Sequence, residues 1–96
     1  MQKEFILEEL RADLPKLKKD FGVKSIGLFG SYANNTENQE SDLDFFVDLN
    51  PPYANNYFGL LFFLEQKFGT KVDLVKRGKH LRDKFLKQVE SEIVYV

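Results

Sequence analysis

The sequence predicts an α/β (α+β) domain in which a small mixed sheet is covered by helices. Two observations support this fold class. Segments with strand-like character are separated by segments whose apolar residues recur every three or four positions. Gly and Pro residues mark the boundaries between them. The predicted order is helix, strand, loop, strand, helix, strand, helix.

Composition limits the domain number and the classes of function. The 96 residues are enough for one domain, 1–96, with one modest core. The 14 basic residues nearly balance the 15 acidic ones, so the net charge of −1 predicts no general attraction to nucleic acid or to a membrane. The absence of cysteine excludes disulfides, zinc-thiolate centres and cysteine nucleophiles.

The ends of the chain and its apolar runs predict a cytoplasmic protein. Acidic residues come early at the N-terminus, unlike a signal or transit peptide. The longest apolar run, 57–64, has eight residues and is too short to cross a bilayer.

The N-terminal segment has helical periodicity that a proline interrupts. Apolar residues recur at helical spacing at Ile6, Leu10, Leu14, Leu17 and Phe21. Since Pro15 falls within this pattern, we expect one helix near 2–12 and a second near 14–21. Gly22 is expected to end the second helix.

Three strands, two further helices and a short terminal strand are predicted after Gly22. Residues 23–29 read as a buried strand, and 34–41 as a polar loop. Over 42–49 one set of alternate positions is entirely apolar, and the other set is acidic except for Phe46, which is typical of a strand. After Pro51 and Pro52 we expect a helix over 57–68, a strand over 71–76, a final helix and a short strand over 94–96. The apolar stripe of the 57–68 helix is expected to face the sheet, with Phe58 and Phe62 outside it.

Asp42 and Asp44 are candidate metal ligands. Two residues apart in a strand, they point to one face, about 6.5–7 Å apart at Cα. Carboxylates are ligands that Mg²⁺ prefers, and a pair of such ions can hold the attacking and leaving oxygens of a phosphoryl displacement. Acids are also common on surface strands, so the pair alone does not establish a site.

Two other features add to this pair. Gly30 and Ser31 end a buried strand, where glycine allows close backbone approach and serine adds a donor for a phosphate. An ordinary strand-ending turn is the alternative. Asp73 lies in an apolar strand, where a buried carboxylate needs a partner or a metal. A sheet-edge position is the alternative there.

Together these residues resemble a known signature. Gly30-Ser31, ten residues and then Asp42-Leu43-Asp44 are similar to the motif of the polymerase-β-like nucleotidyltransferase superfamily. The segments 28–33, 41–47, 71–75 and 81–95 resemble in particular the minimal nucleotidyltransferase (MNT) family, over nearly the whole chain. One departure is Asn34-Asn35, where many members carry Arg-Gly. Asn tolerates a left-handed turn, so we expect the loop to survive.

The resemblance implies a fold, an activity and a partner. Gly30 and Ser31 would bind the triphosphate of ATP. Asp42, Asp44 and Asp73 would be catalytic and would bind Mg²⁺ as a pair of ions, with Asp73 also helping to activate a hydroxyl. Such proteins are antitoxins of HEPN/MNT toxin–antitoxin pairs, which transfer AMP to a tyrosine of a HEPN-domain ribonuclease toxin. The implied state is therefore a hetero-oligomer with that toxin.

Two other functions remain open. The chain could neutralise a toxin by occlusion, with the metal site idle, although occlusion needs no cluster of three aspartates. It could also modify a small molecule, as aminoglycoside-type nucleotidyltransferases do, although no additional acceptor-binding domain is evident.

Overall fold

Helices and strands alternate along the chain in a computed structural model that describes residues 1–96. The elements are α1 (Lys3–Phe21), β1 (Val23–Phe29), α2 (Gly30–Ala33), β2 (Leu43–Leu49), α3 (Tyr53–Phe68), β3 (Val72–Lys76), α4 (Asp83–Glu92) and β4 (Val94–Tyr95). This order confirms the prediction and adds the one-turn helix α2 directly after β1. No helix has the length and apolar character needed to cross a membrane.

The four strands form one mixed sheet in the order β3-β2-β1-β4. Strand β1 runs antiparallel to both β2 and β4. Strands β2 and β3 are parallel, because α3 carries the chain back between them. The predicted α/β fold is confirmed, and β3 lies at an edge of the sheet.

Both faces of the sheet are covered. The larger core lies between the sheet and α1 and α3, and the inward residues of β2 belong to it: Leu43, Phe45, Val47 and Leu49. On the other face, Phe29, Phe46 and Val89 of α4 form a smaller cluster. The alternation of β2 therefore separates two apolar layers, and the acidic positions of β2 lie on the α4 side.

Helix α1 corrects one expectation. It is a single helix of 19 residues that continues through Pro15, so the predicted break there was wrong. An internal proline costs about 3 kcal/mol. Pro15 is exposed, whereas Ile6, Leu10 and Leu17 on the inner face are fully buried. Burial of each such side chain stabilises by about 1.5–3 kcal/mol, which together exceeds the cost of the proline.

Helix α3 places its apolar stripe as predicted but starts earlier, at Tyr53 rather than at 57. Leu60 and Leu64 are fully buried, and Tyr57, Leu61 and Phe68 pack against the same core. Phe58 and Phe62 are 64% and 66% exposed. They therefore lie outside the core, and no other part of the chain covers them.

Candidate active site

The candidate site lies where β1 ends and where β2 and β3 begin. Asp44 in β2 is the register partner of Phe29, the last residue of β1. It is also the register partner of Asp73 in β3. The antiparallel β1–β2 pair and the parallel β2–β3 pair therefore bring Gly30 and the aspartates to one end of the sheet.

The structure brings together all three predicted carboxylates. Asp42 and Asp44 lie on the face opposite the fully buried Leu43, whose burial fixes the register of β2. Asp73 is on the strand beside Asp44, and such neighbours are about 4.8 Å apart. Asp73 is exposed on the edge strand rather than buried in an apolar one. The alternative that Asp73 lies at the edge of the sheet is thus correct. Asp73 is still the direct neighbour of Asp44 on the adjacent strand.

The crowding of negative charge changes the acidity of Asp44. Its pKa is raised from 3.8 to about 6, first by partial burial and then by the charge of Asp73 and a hydrogen bond with it. The charges of Asp42 and Glu92 act in the same direction. Lys71 Nζ lies 3.8 Å from Asp42 Oδ2, but the Lys71 side chain is 76% exposed. This ion pair therefore offsets little of the negative charge at the site.

The oxygen ligands that these three carboxylates offer fit a hard divalent cation. In this structure no three histidine or carboxylate side chains are already spaced as ligands of one ion. Mg²⁺ nevertheless takes only one or two carboxylates and completes its shell with water and substrate phosphates. A cation between Asp44 and Asp73 would also relieve the repulsion that raises the Asp44 pKa. The residues that could hold it are Asp42, Asp44 and Asp73.

Gly30 and Ser31 form the turn next to these carboxylates. Gly30 opens α2 with a φ of +75°, a conformation that favours glycine. The first turn of a helix leaves backbone N–H groups without partners inside the helix. Ser31 is half-buried in that turn. The arrangement can therefore present donors to an anionic group beside the carboxylates.

Glu92 also belongs to this site, and sequence reasoning assigned it no role. Its Oε1 accepts a hydrogen bond from the Gly30 backbone N–H at 3.1 Å, and its Oε2 accepts one from Asn34 Nδ2 at 2.9 Å. The contacts span 62 and 58 residues, so no local pattern could have indicated them. Asn35 has a φ of +58°, which confirms the left-handed turn expected there.

The fold and the site together define a nucleotidyltransferase. Residues 7–96 match the family model of the nucleotidyltransferase domain, and the chain belongs to this family. A candidate protein adenylyltransferase of Methanocaldococcus jannaschii is 39% identical over 95 residues, covering 95% of this chain and 94% of the relative. Protein adenylyltransferase MntA of Thermococcus cleftensis is 38% identical over 95 residues, covering 94% and 95%.

Solved structures agree with this assignment. A candidate minimal nucleotidyltransferase has a TM-score of 0.81 and 27% identity, covering 98% of this chain and 95% of that one. A toxin–antitoxin structure with AMP-PNP has a TM-score of 0.68 and 25% identity, covering 88% and 69%. The fold is also shared with a complex of a tri-AMPylated Shewanella oneidensis HEPN toxin and an MNT antitoxin. That match has a TM-score of 0.63 and 22% identity and covers 93% of this chain and 70% of that one. Within the nucleotidyltransferases, the chain is a member of the minimal nucleotidyltransferase family.

Proposed function

We propose that this enzyme is an antitoxin-type protein adenylyltransferase. It would transfer AMP from ATP to a tyrosine hydroxyl of a cognate HEPN-domain toxin and release pyrophosphate. The observation that carries the proposal is the placement of Asp42, Asp44 and Asp73 beside the turn at Gly30. The similarity of the chain to protein adenylyltransferase MntA of Thermococcus cleftensis supports a protein acceptor.

The turn at Gly30 and Ser31 supplies the groups for the triphosphate. Donors at the start of α2 are fixed by the backbone, so they need no reorganisation when an anion binds. Ser31 would add a hydroxyl donor. This binding would hold the α-phosphate over the carboxylates, in line with an incoming hydroxyl.

Asp42, Asp44 and Asp73 are the residues that would hold Mg²⁺, as a pair of ions. Bound there, Mg²⁺ would neutralise charge on the phosphates and on the leaving pyrophosphate. Asp44 is the most constrained of the three, because it is half-buried in β2 and in register with Asp73. Its fixed position would set the distance between the turn at Gly30, which would bind the triphosphate, and Asp73, where the acceptor would approach.

Asp73 is the residue that meets the acceptor. It is exposed on an edge strand, so a side chain of another protein can approach it from solvent. Asp73 would accept the proton of the attacking tyrosine hydroxyl as the oxygen–phosphorus bond forms and the bond to pyrophosphate breaks. The partner would have to present that tyrosine at the open edge of the sheet, in the cytoplasm where ATP is available.

The test is to co-express the chain with the protein encoded by the adjacent gene and to weigh that partner by mass spectrometry. We expect AMP additions with the wild-type chain and none with the D42N/D44N double variant. D48N is the matched control, since Asp48 lies further along the same face of β2, and it should transfer normally.

The alternatives predict other results. A partner that is neutralised without added mass would indicate occlusion, and transfer to an aminoglycoside but not to the partner would indicate a small-molecule enzyme. Wild-type transfer by D42N/D44N would overturn the site assignment.

A further inference from the structure

Glu92 connects the end of α4 to the turn that the proposed function uses. It is the last residue of α4, and Gly30 is the first residue of α2. One carboxylate oxygen accepts from the Gly30 N–H at 3.1 Å, and the other accepts from Asn34 Nδ2 at 2.9 Å. Glu92 therefore bridges both ends of the 30–34 turn. The turn itself directly follows β1 of the sheet.

The charge of Glu92 is unfavourable where it lies. The three aspartates already concentrate negative charge here, and Glu92 adds to the repulsion that Asp44 experiences. A fourth carboxylate also repels the triphosphate that the site is proposed to bind. What favours Glu92 at this position is its geometry, because two acceptor atoms match the two donors of the turn.

On this basis, and resting on the proposed function, we propose that Glu92 is a positioning residue for nucleotide binding. It fixes the 30–34 turn so that Ser31 and the backbone donors of α2 are aimed at the triphosphate before ATP arrives. We assign Glu92 no contact with substrate or metal, because both of its carboxylate oxygens are used by Gly30 and Asn34. By occupying the Gly30 N–H, Glu92 also leaves Ser31 and the next residues of α2 as the donors for phosphate.

Two substitutions separate geometry from charge. Glu92→Ala removes both acceptors and frees the turn. Glu92→Gln keeps the acceptor for Gly30, and its Nε2 can donate to Asn34 Oδ1 once the Asn34 amide rotates. If geometry is what Glu92 contributes, Gln rescues nucleotide binding and Ala does not. If charge is what it contributes, both variants fail alike.

The experiment measures MgATP binding by calorimetry and kcat and KM for transfer to the partner. For Glu92→Ala we expect MgATP affinity to fall and KM for ATP to rise about 10-fold, as for the loss of a charged hydrogen bond. The Glu92→Gln variant should bind within about twofold of wild type or more tightly. Glu90→Ala, a change of an exposed acid on the same helix, is the control and should bind as wild type.

One further measurement applies even if Glu92→Ala folds poorly, and a second reports on the hydrogen bond where that variant folds. Asn34→Ala removes only the exposed half of the bridge, so affinity should fall about threefold, and in the Glu92→Gln background it should fall by a similar factor. The Gly30 amide signal in NMR spectra should move in Glu92→Ala and exchange faster with solvent. That readout reports the hydrogen bond without any activity.

Specific outcomes overturn the inference. MgATP affinity within twofold of wild type in Glu92→Ala, or equal losses in the Ala and Gln variants, would show that Glu92 does not position the turn. Failure of the proposed function looks different, because the wild-type chain would then transfer no AMP to its partner whatever residue occupies position 92.

Discussion

A β-carbon on Gly30 would lie 2.8 Å from the Cγ atom of Asp44 and 3.1 Å from its Cβ atom. Both distances are shorter than normal packing contacts, and Asp44 belongs to a central strand whose register is fixed by buried neighbours. The positions of the 30–34 turn and of Asp44, a candidate metal ligand, thus depend on each other. Glycine is required there both for close approach and for its φ of +75°.

The first prediction concerns Gly30→Ala. The left-handed backbone alone costs about 1–2 kcal/mol for a residue with a β-carbon, and displacement of Asp44 adds to this cost. Gly69→Ala is a matched control, since Gly69 has a φ of +64° and open space around the new methyl group. We expect both variants to lose stability in thermal melts, and only Gly30→Ala to lose AMP transfer. Equal activities would show that Asp44 can move without consequence.

The second prediction follows from the raised pKa of Asp44. Between its ordinary value of 3.8 and about 6, the folded protein binds more protons at Asp44 than the unfolded chain does. The metal-free stability contributed by Asp44 therefore falls as pH rises through this window and is constant above it. The loss is at most about 1 kcal/mol, because solvent screens a half-exposed carboxyl.

Asp44→Asn removes that titration. Melting temperatures measured in a chelator should diverge as pH rises from about 4 to about 6, with the variant becoming the more stable protein. Adding Mg²⁺ at pH 7 should raise the melting temperature of the wild type only. A difference between the two proteins that stays constant with pH would contradict the raised pKa.

The third prediction concerns the hydroxyl of Ser31. Losing a hydrogen bond to a charged phosphate costs about 1.5–3 kcal/mol, so Ser31→Ala should weaken MgATP binding by about 10- to 150-fold. Stability should change less, because Ser31 is half-buried and lies outside the main core. Ser25→Ala, in the first half of β1 and also half-buried, is the control. An unchanged dissociation constant in calorimetry would remove Ser31 from the phosphate site.

What the sequence could predict depends on how local each feature is. The alternation over β2 lies within seven residues, so it predicted both the strand and the shared face of Asp42 and Asp44. The adjacency of Asp73 to Asp44 depends on a parallel crossover through α3. The residue pattern did not establish this pairing, and only the family resemblance placed Asp73 in the site.

Other features could not be predicted, because they depend on residues that are distant in the sequence or because the element is too short to show a pattern. The continuity of α1 through Pro15 depends on burial against the sheet and α3, which the local cost of proline does not show. Helix α2 has four residues, too few for any periodicity. The bridge from Glu92 to Gly30 joins positions 62 residues apart and has no sequence signature.

The last prediction concerns the exposed aromatic side chains of α3. Phe58 and Phe62 are one turn apart and are 64% and 66% exposed, so the rest of the chain leaves both rings largely open to solvent. Large exposed aromatic groups one helical turn apart are typical of a protein contact. The proposed toxin needs such a contact to hold its tyrosine at the edge of the sheet near Asp73.

Phe62→Ser should therefore weaken partner binding by about tenfold or more and leave the melting temperature nearly unchanged, since no core contact is lost. Phe5→Ser is the matched control: Phe5 is 50% exposed but lies on α1, so the same change there should leave partner affinity at its wild-type value. Binding can be followed by calorimetry with the purified partner. Normal affinity in Phe62→Ser together with lost affinity in Phe5→Ser would place the partner on α1 instead. A large drop in melting temperature for Phe62→Ser would show that this ring stabilises the isolated chain, contrary to its exposure.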